Sequence, residues 1–146
     1  MKRIGILTGG GDAPGLNAVI RAAVKTAIIE FDCEVFGIKN GYDGFLEENG
    51  IIPLGLNEVS GILPRGGTIL GSANRGNPYA RKVIRDGKEV VIDVSDEIVK
   101  GIKKQKLDAL LVLGGDGTLH IAHELAQKGV PVIGVPKTID NDIGGT

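Results

Sequence analysis

Several residue types are scarce in this 146-residue sequence, and each scarcity excludes a class of protein. Cys33 is the single cysteine, so no internal disulfide can form, and a reducing compartment such as the cytoplasm fits. Aromatic residues make up only 3% and tryptophan is absent, so Ile, Val, Leu and Ala must build the core. No apolar run approaches the roughly 20 residues of a membrane span. The run Ile4 to Leu7, behind the basic Lys2 and Arg3, is too short for a signal peptide.

The chain also has no large excess of positive or negative charge. The 17 basic and 18 acidic residues give a net charge of −1, and no basic stripe runs along the chain. Nucleic acid is therefore not an expected partner. The length predicts one domain. A domain of this size buries roughly 68–70% of its unfolded surface, which is enough for a stable core without disulfides or structural metal ions.

Glycine, by contrast, is abundant. The sequence has 24 glycines in 146 residues, about 16%, against an average near 7%. They cluster where apolar runs end, as in Gly9-Gly10-Gly11 after Ile4–Thr8 and Gly114-Gly115 after Ala109–Leu113. Glycine permits tight turns and also the close approach of a ligand. Several such clusters at strand ends favour a binding site.

Apolar runs of strand length alternate with helical patterns. The runs are near-continuous, as expected for parallel strands covered on both faces, and they span Arg3–Leu7, Glu34–Ile38, Leu107–Leu113 and Val130–Val135. Three helices are predicted between them: one from Pro14 in its first turn to Ile28, one capped by Ser95, and Thr118–Lys128. The order predicts an α/β fold with a doubly wound, mostly parallel sheet between two helix layers, a Rossmann-like three-layer sandwich.

Two segments depart from this alternation. Residues 81–92 are typical of a hairpin that turns at Asp86-Gly87, which predicts a small antiparallel arm. The chain stops just beyond a polar loop, with no helix to cover the Val130–Val135 strand. Since parallel sheets need both faces covered, we expect the sequence to be part of a longer chain.

Three polar loops follow predicted strands and should converge at one edge of the sheet, Gly9–Gly15, Gly114–Thr118 and Pro136–Asp142. Glycine-rich backbone beside a helix N-terminus offers free N–H groups that suit phosphate. The sequence contains no G-x-x-x-x-G-K-[ST], which excludes a P-loop, and residues 9–15 do not match the standard dinucleotide fingerprint.

Four side chains in these loops are candidates for catalysis or metal binding, and three of them also fit a purely structural role. Asp116 fits a magnesium ligand, since Mg²⁺ binds through one or two carboxylates and substrate phosphates, but it also fits a helix cap. Asp140 fits a base for a substrate hydroxyl and Asp142 a metal ligand or an orienting group, yet both fit Asx turns. On an extended loop these two carboxylates would point in opposite directions. Lys137 suits charge developing on a transferred phosphoryl group.

Two further pairs of polar residues are expected to lie on solvent-exposed helix surfaces. His120 and His123 stand i, i+3 on a predicted helix with no third metal ligand in sight. Arg21 and Lys25 stand i, i+4, a mildly unfavourable pair that an anionic effector would relieve.

Taken together, four motifs resemble the phosphofructokinase family: GGGDAPGLNAVIR (9–21), RGGTILGSANR (65–75), GGDGT (114–118) and PKTIDND (136–142). GGDGT also occurs in NAD kinases and lipid kinases, but PKTIDND after it is highly specific. The resemblance covers essentially the whole chain and implies that residues 1–146 are the N-terminal, nucleotide-binding domain of a two-domain enzyme, cut after the catalytic loop. It also implies a homo-oligomer, a tetramer or dimer, when full-length.

The resemblance implies phosphoryl transfer from Mg-ATP to the 1-hydroxyl of fructose 6-phosphate, a step of glycolysis. Residue by residue, it makes Asp140 the base, Asp142 and Lys137 its catalytic supports, and Asp116 the Mg²⁺ site. Thr138 and Ile139, together with Asp140, would contact the sugar phosphate. The phosphate donor would bind to Gly11, Asn74, Arg75, Gly115, Asp116, Gly117 and Thr118. Arg75, with Asn74 the alternative in alignment, would bridge the donor and sugar phosphates, and Arg21, Lys25 and Arg65 match an allosteric nucleotide site.

Two residues bear on the identity of the phosphate donor, and they point to different donors. Pyrophosphate-using members usually carry an aspartate where this chain has Gly117, which would crowd the α-phosphate of ATP. They also usually carry a lysine where this chain has Lys137. Because a side chain can exclude ATP outright whereas a lysine can assist either donor, ATP is the expected donor and pyrophosphate the alternative. As an isolated piece, the chain would be a non-catalytic nucleotide-binding module.

Overall fold

A computed structural model describes residues 1–73 and 76–144 of the chain. Its main sheet has five strands in the order β3-β2-β1-β6-β7, namely β1 (Arg3–Thr8), β2 (Glu34–Ile38), β3 (Ile51–Pro53), β6 (Ala109–Gly114) and β7 (Val132–Pro136). The pairs β1–β2, β1–β6 and β6–β7 are parallel. Helix α1 (Leu16–Phe31) connects β1 to β2, helix α2 (Ser95–Lys104) precedes β6, and helix α3 (Asp116–Gln127) connects β6 to β7.

Each face of the sheet has its own apolar core. On one face, Leu16, Ile20 and Val24 of α1 pack with Ile6 and Leu113. On the other, Ile98 of α2 and Ile121 and Leu125 of α3 pack with Leu7 and Val112. Strand residues next to each other in sequence thus serve opposite cores, which is why the strands are apolar throughout. The predicted doubly wound α/β fold is confirmed.

The predicted arm is present as β4 (Arg81–Arg85) and β5 (Lys88–Ile92), a separate two-stranded antiparallel sheet. Asp86 and Gly87 have φ angles of 51° and 74°, so both turn residues adopt the left-handed conformation that Asp-Gly tolerates. A cation–carboxylate pair, Lys82 to Glu89 at 2.8 Å, joins the strands.

Several element boundaries differ from the sequence prediction. Pro14 lies before the N-cap Gly15 and not in the first turn of α1. Ser95 is the first helical residue of α2 and not its cap; its amide donates to Asp93 Oδ1 at 2.8 Å. Strand β3, antiparallel to β2, was not predicted, because three residues are too few to show a period.

An apolar groove of about 910 Å³ lies beside α1, over Ile4, Leu111 and Val135. Ile133 of β7 is also 57% exposed. Within residues 1–73 and 76–144, no helix is long and apolar enough to span a bilayer.

Candidate functional site

The site is a cavity of about 490 Å³ at the carboxyl ends of β1, β6 and β7. The strand order reverses there, since β1 leads outward to α1 and β2 while β6 leads to α3 and β7 on the other side. Such a switch point leaves a crevice between diverging loops. The ten described residues predicted for catalysis, substrate binding or donor binding all line this cavity: Gly11, Gly115, Asp116, Gly117, Thr118, Lys137, Thr138, Ile139, Asp140 and Asp142.

The first turn of α3 forms one wall. The N-cap is Gly115, in extended backbone, and no side chain caps the helix. Asp116 is inside the helix and exposed, so the helix-cap alternative for this residue is wrong, and α3 begins two residues earlier than predicted. Leu119 N donates to Gly115 O at 3.0 Å, so the amides of residues 116–118 precede the first intrahelical bond. These amides and the helix dipole favour an anion in the cavity.

Thr118 joins this turn to the two glycine-rich strand ends. Its side chain is buried, and it fills the space that Gly9 and Gly114 leave open. A Cβ at Gly9 would lie 2.6 Å from Thr118 Cγ2, and one at Gly114 would lie 2.5 Å from Thr118 Cβ. These two glycines are therefore required for the close packing of α3 against β1 and β6, and not only for a turn.

Lys137 connects the catalytic-loop region to the first glycine loop. Its ammonium donates to Gly11 O at 2.5 Å, and its amide donates to Gly114 O at 2.9 Å. The ammonium has three donors, so this bond uses one of them. Gly10, at φ 76°, brings the glycine loop to within reach of the lysine, since a Cβ there would lie 3.6 Å from Lys137 Nζ. The cation is thus held at the cavity wall, where it lowers the cost of binding a polyanion.

Thr138 organises the loop that follows β7. Its hydroxyl donates to Asp142 Oδ1 at 2.6 Å and accepts from the amides of Asp140, at 3.2 Å, and Asp142, at 3.4 Å. Asn141 has a φ of 54°, so the loop is bent and not extended. The expectation that Asp140 and Asp142 point to opposite sides is wrong, because both residues line the same cavity, and even on an extended segment residues i and i+2 share a side.

Asp116 and Asp140 reach the cavity from different crossovers, one from the first turn of α3 and the other from the loop after β7. Both side chains are exposed to solvent. A carboxylate beside helix amides and a second carboxylate lining the same cavity can serve a metal-bound polyanion and a hydroxyl substrate together.

The residues described contain no group of three or more His, Cys, Asp or Glu side chains placed to hold a metal ion. Asp116 alone nevertheless fits Mg²⁺, because this ion binds to proteins through one or two carboxylates and takes its remaining ligands from substrate phosphates and water. A magnesium ion in this cavity would therefore arrive with a phosphate ligand.

Sequence reasoning missed several cavity residues. His120 lines the cavity one turn after Asp116, although its side chain is 71% exposed, as expected for a surface position. Its i, i+4 spacing from Asp116 was the available signal. Tyr42 and Gly41 follow β2 at the same edge of the sheet, and Asn77 precedes the hairpin arm.

Two predicted residues, Asn74 and Arg75, lie outside the described residues. Ala73 and Gly76 on either side of them both line the cavity. The 65–71 segment before them is fixed to the first helix by Asn17, whose buried side chain donates to Arg65 O at 3.1 Å and accepts from Ile69 N at 2.7 Å.

Arg65 is thereby held near the start of α1, the helix that carries Arg21 and Lys25. The latter two side chains are partly buried. An anionic effector at these cations remains a prediction.

Comparison with known proteins agrees with the motifs. The family model described as phosphofructokinase matches residues 3–146. The chain is 56% identical, over its whole length, to a Clostridium perfringens protein named ATP-dependent 6-phosphofructokinase 2, and 50% identical over 99% of its length to a Chloroflexus aggregans ATP-dependent 6-phosphofructokinase. The chain spans 40% of the length of each of these two relatives.

Solved structures match as well. The phosphofructokinase of Saccharomyces cerevisiae aligns with a TM-score of 0.76 at 32% identity, covering 100% of this chain and 21% of that one. The T-state enzyme of Pichia pastoris aligns with a TM-score of 0.81 at 32% identity, covering 99% of this chain and 16% of that one. A pyrophosphate-dependent phosphofructokinase from Marinobacter aquaeolei, at 22% identity and a TM-score of 0.78, covers 100% of this chain and 36% of that one and shares the fold. The chain belongs to the phosphofructokinase family.

Proposed function

We propose that residues 1–146 form the nucleotide-binding domain of an enzyme that transfers the γ-phosphoryl group of Mg-ATP to the 1-hydroxyl of fructose 6-phosphate, giving fructose 1,6-bisphosphate. The observation that carries this proposal is the convergence of three separate loops on one cavity, with Asp116 and Asp140 both lining it. The names of the relatives support the same reaction. We further propose that the full-length protein is a cytoplasmic homo-oligomer.

Asp140 accepts the proton of the substrate hydroxyl as the bond to phosphorus forms. The carboxylate is exposed in the cavity, and its amide is fixed by the Thr138 hydroxyl. Asp142 supports the loop, since its carboxylate accepts a hydrogen bond from the Thr138 hydroxyl. Thr138 and Ile139 lie against the sugar phosphate; Ile139 is 61% exposed, which leaves its side chain accessible to a substrate.

The donor phosphates lie against the backbone of Gly11, Gly115 and Gly117 and against Thr118, at the amide-rich start of α3. The Lys137 ammonium, held at Gly11 O, offsets their negative charge. Arg75, or Asn74 in the alternative alignment, would bridge the donor and sugar phosphates. Asp116 would hold Mg²⁺, which supplies charge neutralisation when it is bound with the nucleotide.

ATP is favoured over pyrophosphate by the space at Gly117. A Cβ built on Gly117 meets no atom within 4 Å, so the helix surface is open where a longer side chain would enter the cavity. The two relatives described above, at 56% and 50% identity, are both named ATP-dependent. Lys137 keeps pyrophosphate as the alternative donor, because a lysine assists either polyanion.

Titration of ATP against pyrophosphate tests the donor, with Mg²⁺ and fructose 6-phosphate at saturation and the full-length protein. Product is measured by a coupled assay for fructose 1,6-bisphosphate. We expect turnover with ATP and little with pyrophosphate. The reverse preference contradicts the Gly117 argument, and turnover with neither donor contradicts the proposed reaction.

A second candidate is a non-catalytic nucleotide-binding module, if the chain acts alone. The exposure of Ile139, Asp140 and Asp142 favours it, because a sugar phosphate bound there would be covered on one side only by these residues. We therefore expect the isolated chain to bind Mg-ATP but to show little or no kinase activity. Normal turnover by the isolated chain in the same coupled assay would refute this.

A further inference from the structure

The Tyr42 hydroxyl has no part in the proposed reaction, yet it makes a buried hydrogen bond in the wall of the site. Tyr42 is 3% exposed and lies in the short 3₁₀ helix Gly41–Phe45 after β2. Its hydroxyl donates to Thr118 O at 2.9 Å, across 76 residues of sequence. Burial, and to a smaller extent the neighbouring Tyr79, raises the pKa of Tyr42 well above its ordinary value, so the hydroxyl stays a proton donor at physiological pH.

This bond holds the main chain of the first turn of α3. The Thr118 side chain is already fixed, because Gly9 and Gly114 pack directly against it. Tyr42 fixes the carbonyl oxygen of the same residue through this hydrogen bond. The turn that carries the amides of residues 116–118 is thereby held through both its side chain and its main chain.

The segment that carries Tyr42 is itself firmly placed. Gly41 has a φ of 64°, and a Cβ there would lie 3.4 Å from Thr8 O and 4.0 Å from Gly9 Cα. The backbone therefore lies against the end of β1, which only glycine permits in this conformation. Asn40 N donates to Leu70 O at 2.9 Å and fixes the same segment to the 65–71 loop. Tyr42 thus links the end of β1 to the start of α3 through direct contacts.

We propose that Tyr42 is a positioning residue of the donor-phosphate site, acting through the Thr118 carbonyl to orient the first-turn amides of α3. The inference rests on the proposed function, since it assumes that the donor phosphates bind to these amides. A net hydrogen bond contributes about 0.5–1.5 kcal/mol. Loss of the hydroxyl should therefore weaken phosphate binding by about twofold to twelvefold.

The test compares Tyr42→Phe with the wild-type chain by isothermal titration of Mg-ATP and of Mg-tripolyphosphate, which has no nucleoside. Tyr79→Phe is the matched control, because it removes the same hydroxyl from a tyrosine outside the cavity lining. Circular dichroism verifies the fold of each variant. We expect Tyr42→Phe to weaken both ligands by the same factor and Tyr79→Phe to change neither.

Other outcomes separate the possible failures. If wild type binds neither ligand, or not tripolyphosphate, the donor site itself is wrong. If wild type binds both and Tyr42→Phe binds them equally well, the positioning role is refuted while the proposed function stands. Weakening of Mg-ATP alone would mean that Tyr42 contacts the nucleoside directly, and equal weakening by Tyr79→Phe would mean a general effect; both overturn the inference.

If the Tyr42→Phe chain does not fold, the variant is measured in the full-length enzyme by steady-state kinetics. A positioning role predicts a higher KM for ATP, with the KM for fructose 6-phosphate unchanged. Equal changes in both KM values, or in neither, would contradict it.

Discussion

One added methyl group at Gly9 tests the packing that fixes the site. In Gly9→Ala, the new Cβ would lie 2.6 Å from Cγ2 and 2.7 Å from Oγ1 of Thr118, while Thr118 Cβ is 3.3 Å away. Distances below 3.0 Å require a shift, and Thr118 is a short, buried side chain at the start of a helix. Overpacking of this kind costs about 1–3 kcal/mol. We expect that loss in the free energy of unfolding.

The same distances predict which second substitution restores stability. Thr118→Ala removes Cγ2 and Oγ1, the two atoms nearest the new Cβ of Gly9→Ala. The loss in the free energy of unfolding of the double variant should therefore be smaller than the sum of the losses of the two single variants, by about 1 kcal/mol or more. At Gly114 the nearest atom is Thr118 Cβ, at 2.5 Å, which alanine retains. Thr118→Ala should accordingly rescue Gly9→Ala far better than Gly114→Ala.

Urea unfolding followed by circular dichroism measures these free energies. Gly117→Ala is the matched control in the same turn, because a Cβ there meets nothing within 4 Å. Since alanine favours a helix over glycine by up to about 1 kcal/mol, this control should be neutral or stabilised. A neutral Gly9→Ala variant, or equal rescue of the two glycine variants by Thr118→Ala, would refute the packing argument.

Two further predictions concern the full-length enzyme. Gly117→Asp should abolish ATP turnover, because the carboxylate would enter the open space at this position and crowd and repel the α-phosphate of ATP; retained ATP turnover would defeat the steric argument. Asp140→Asn should lower kcat about 10²- to 10⁴-fold through loss of the base, with little change in the KM for fructose 6-phosphate. A parallel Glu124→Gln variant, on α3 outside the cavity lining, should keep wild-type kinetics in the same coupled assay. A kcat for Asp140→Asn within tenfold of wild type would exclude this base.

The sequence predicted the parallel strands and the site loops well because their signals are local. The strand β2 was predicted to the residue, and the others to within a few residues, since apolar runs and turn residues lie next to each other in the chain. Strand β3 was missed because Ile51–Pro53 is short and pairs with β2 only in the folded sheet. The start of α3 was placed two residues late, because glycine at 115 and 117 obscures a helical pattern.

The sequence by itself determined which loops end at the same edge of the sheet, because parallel strands joined by right-handed crossovers leave no other arrangement. It thereby placed Asp116, Lys137 and Asp140 in one crevice. Only the tertiary structure decided how that crevice is held in shape. The bond from Lys137 to Gly11 O joins residues 126 positions apart, and the bond from Tyr42 to Thr118 O joins residues 76 apart. Such contacts depend on the whole path of the chain between the partners, and no periodicity or turn signal in a local window records that path.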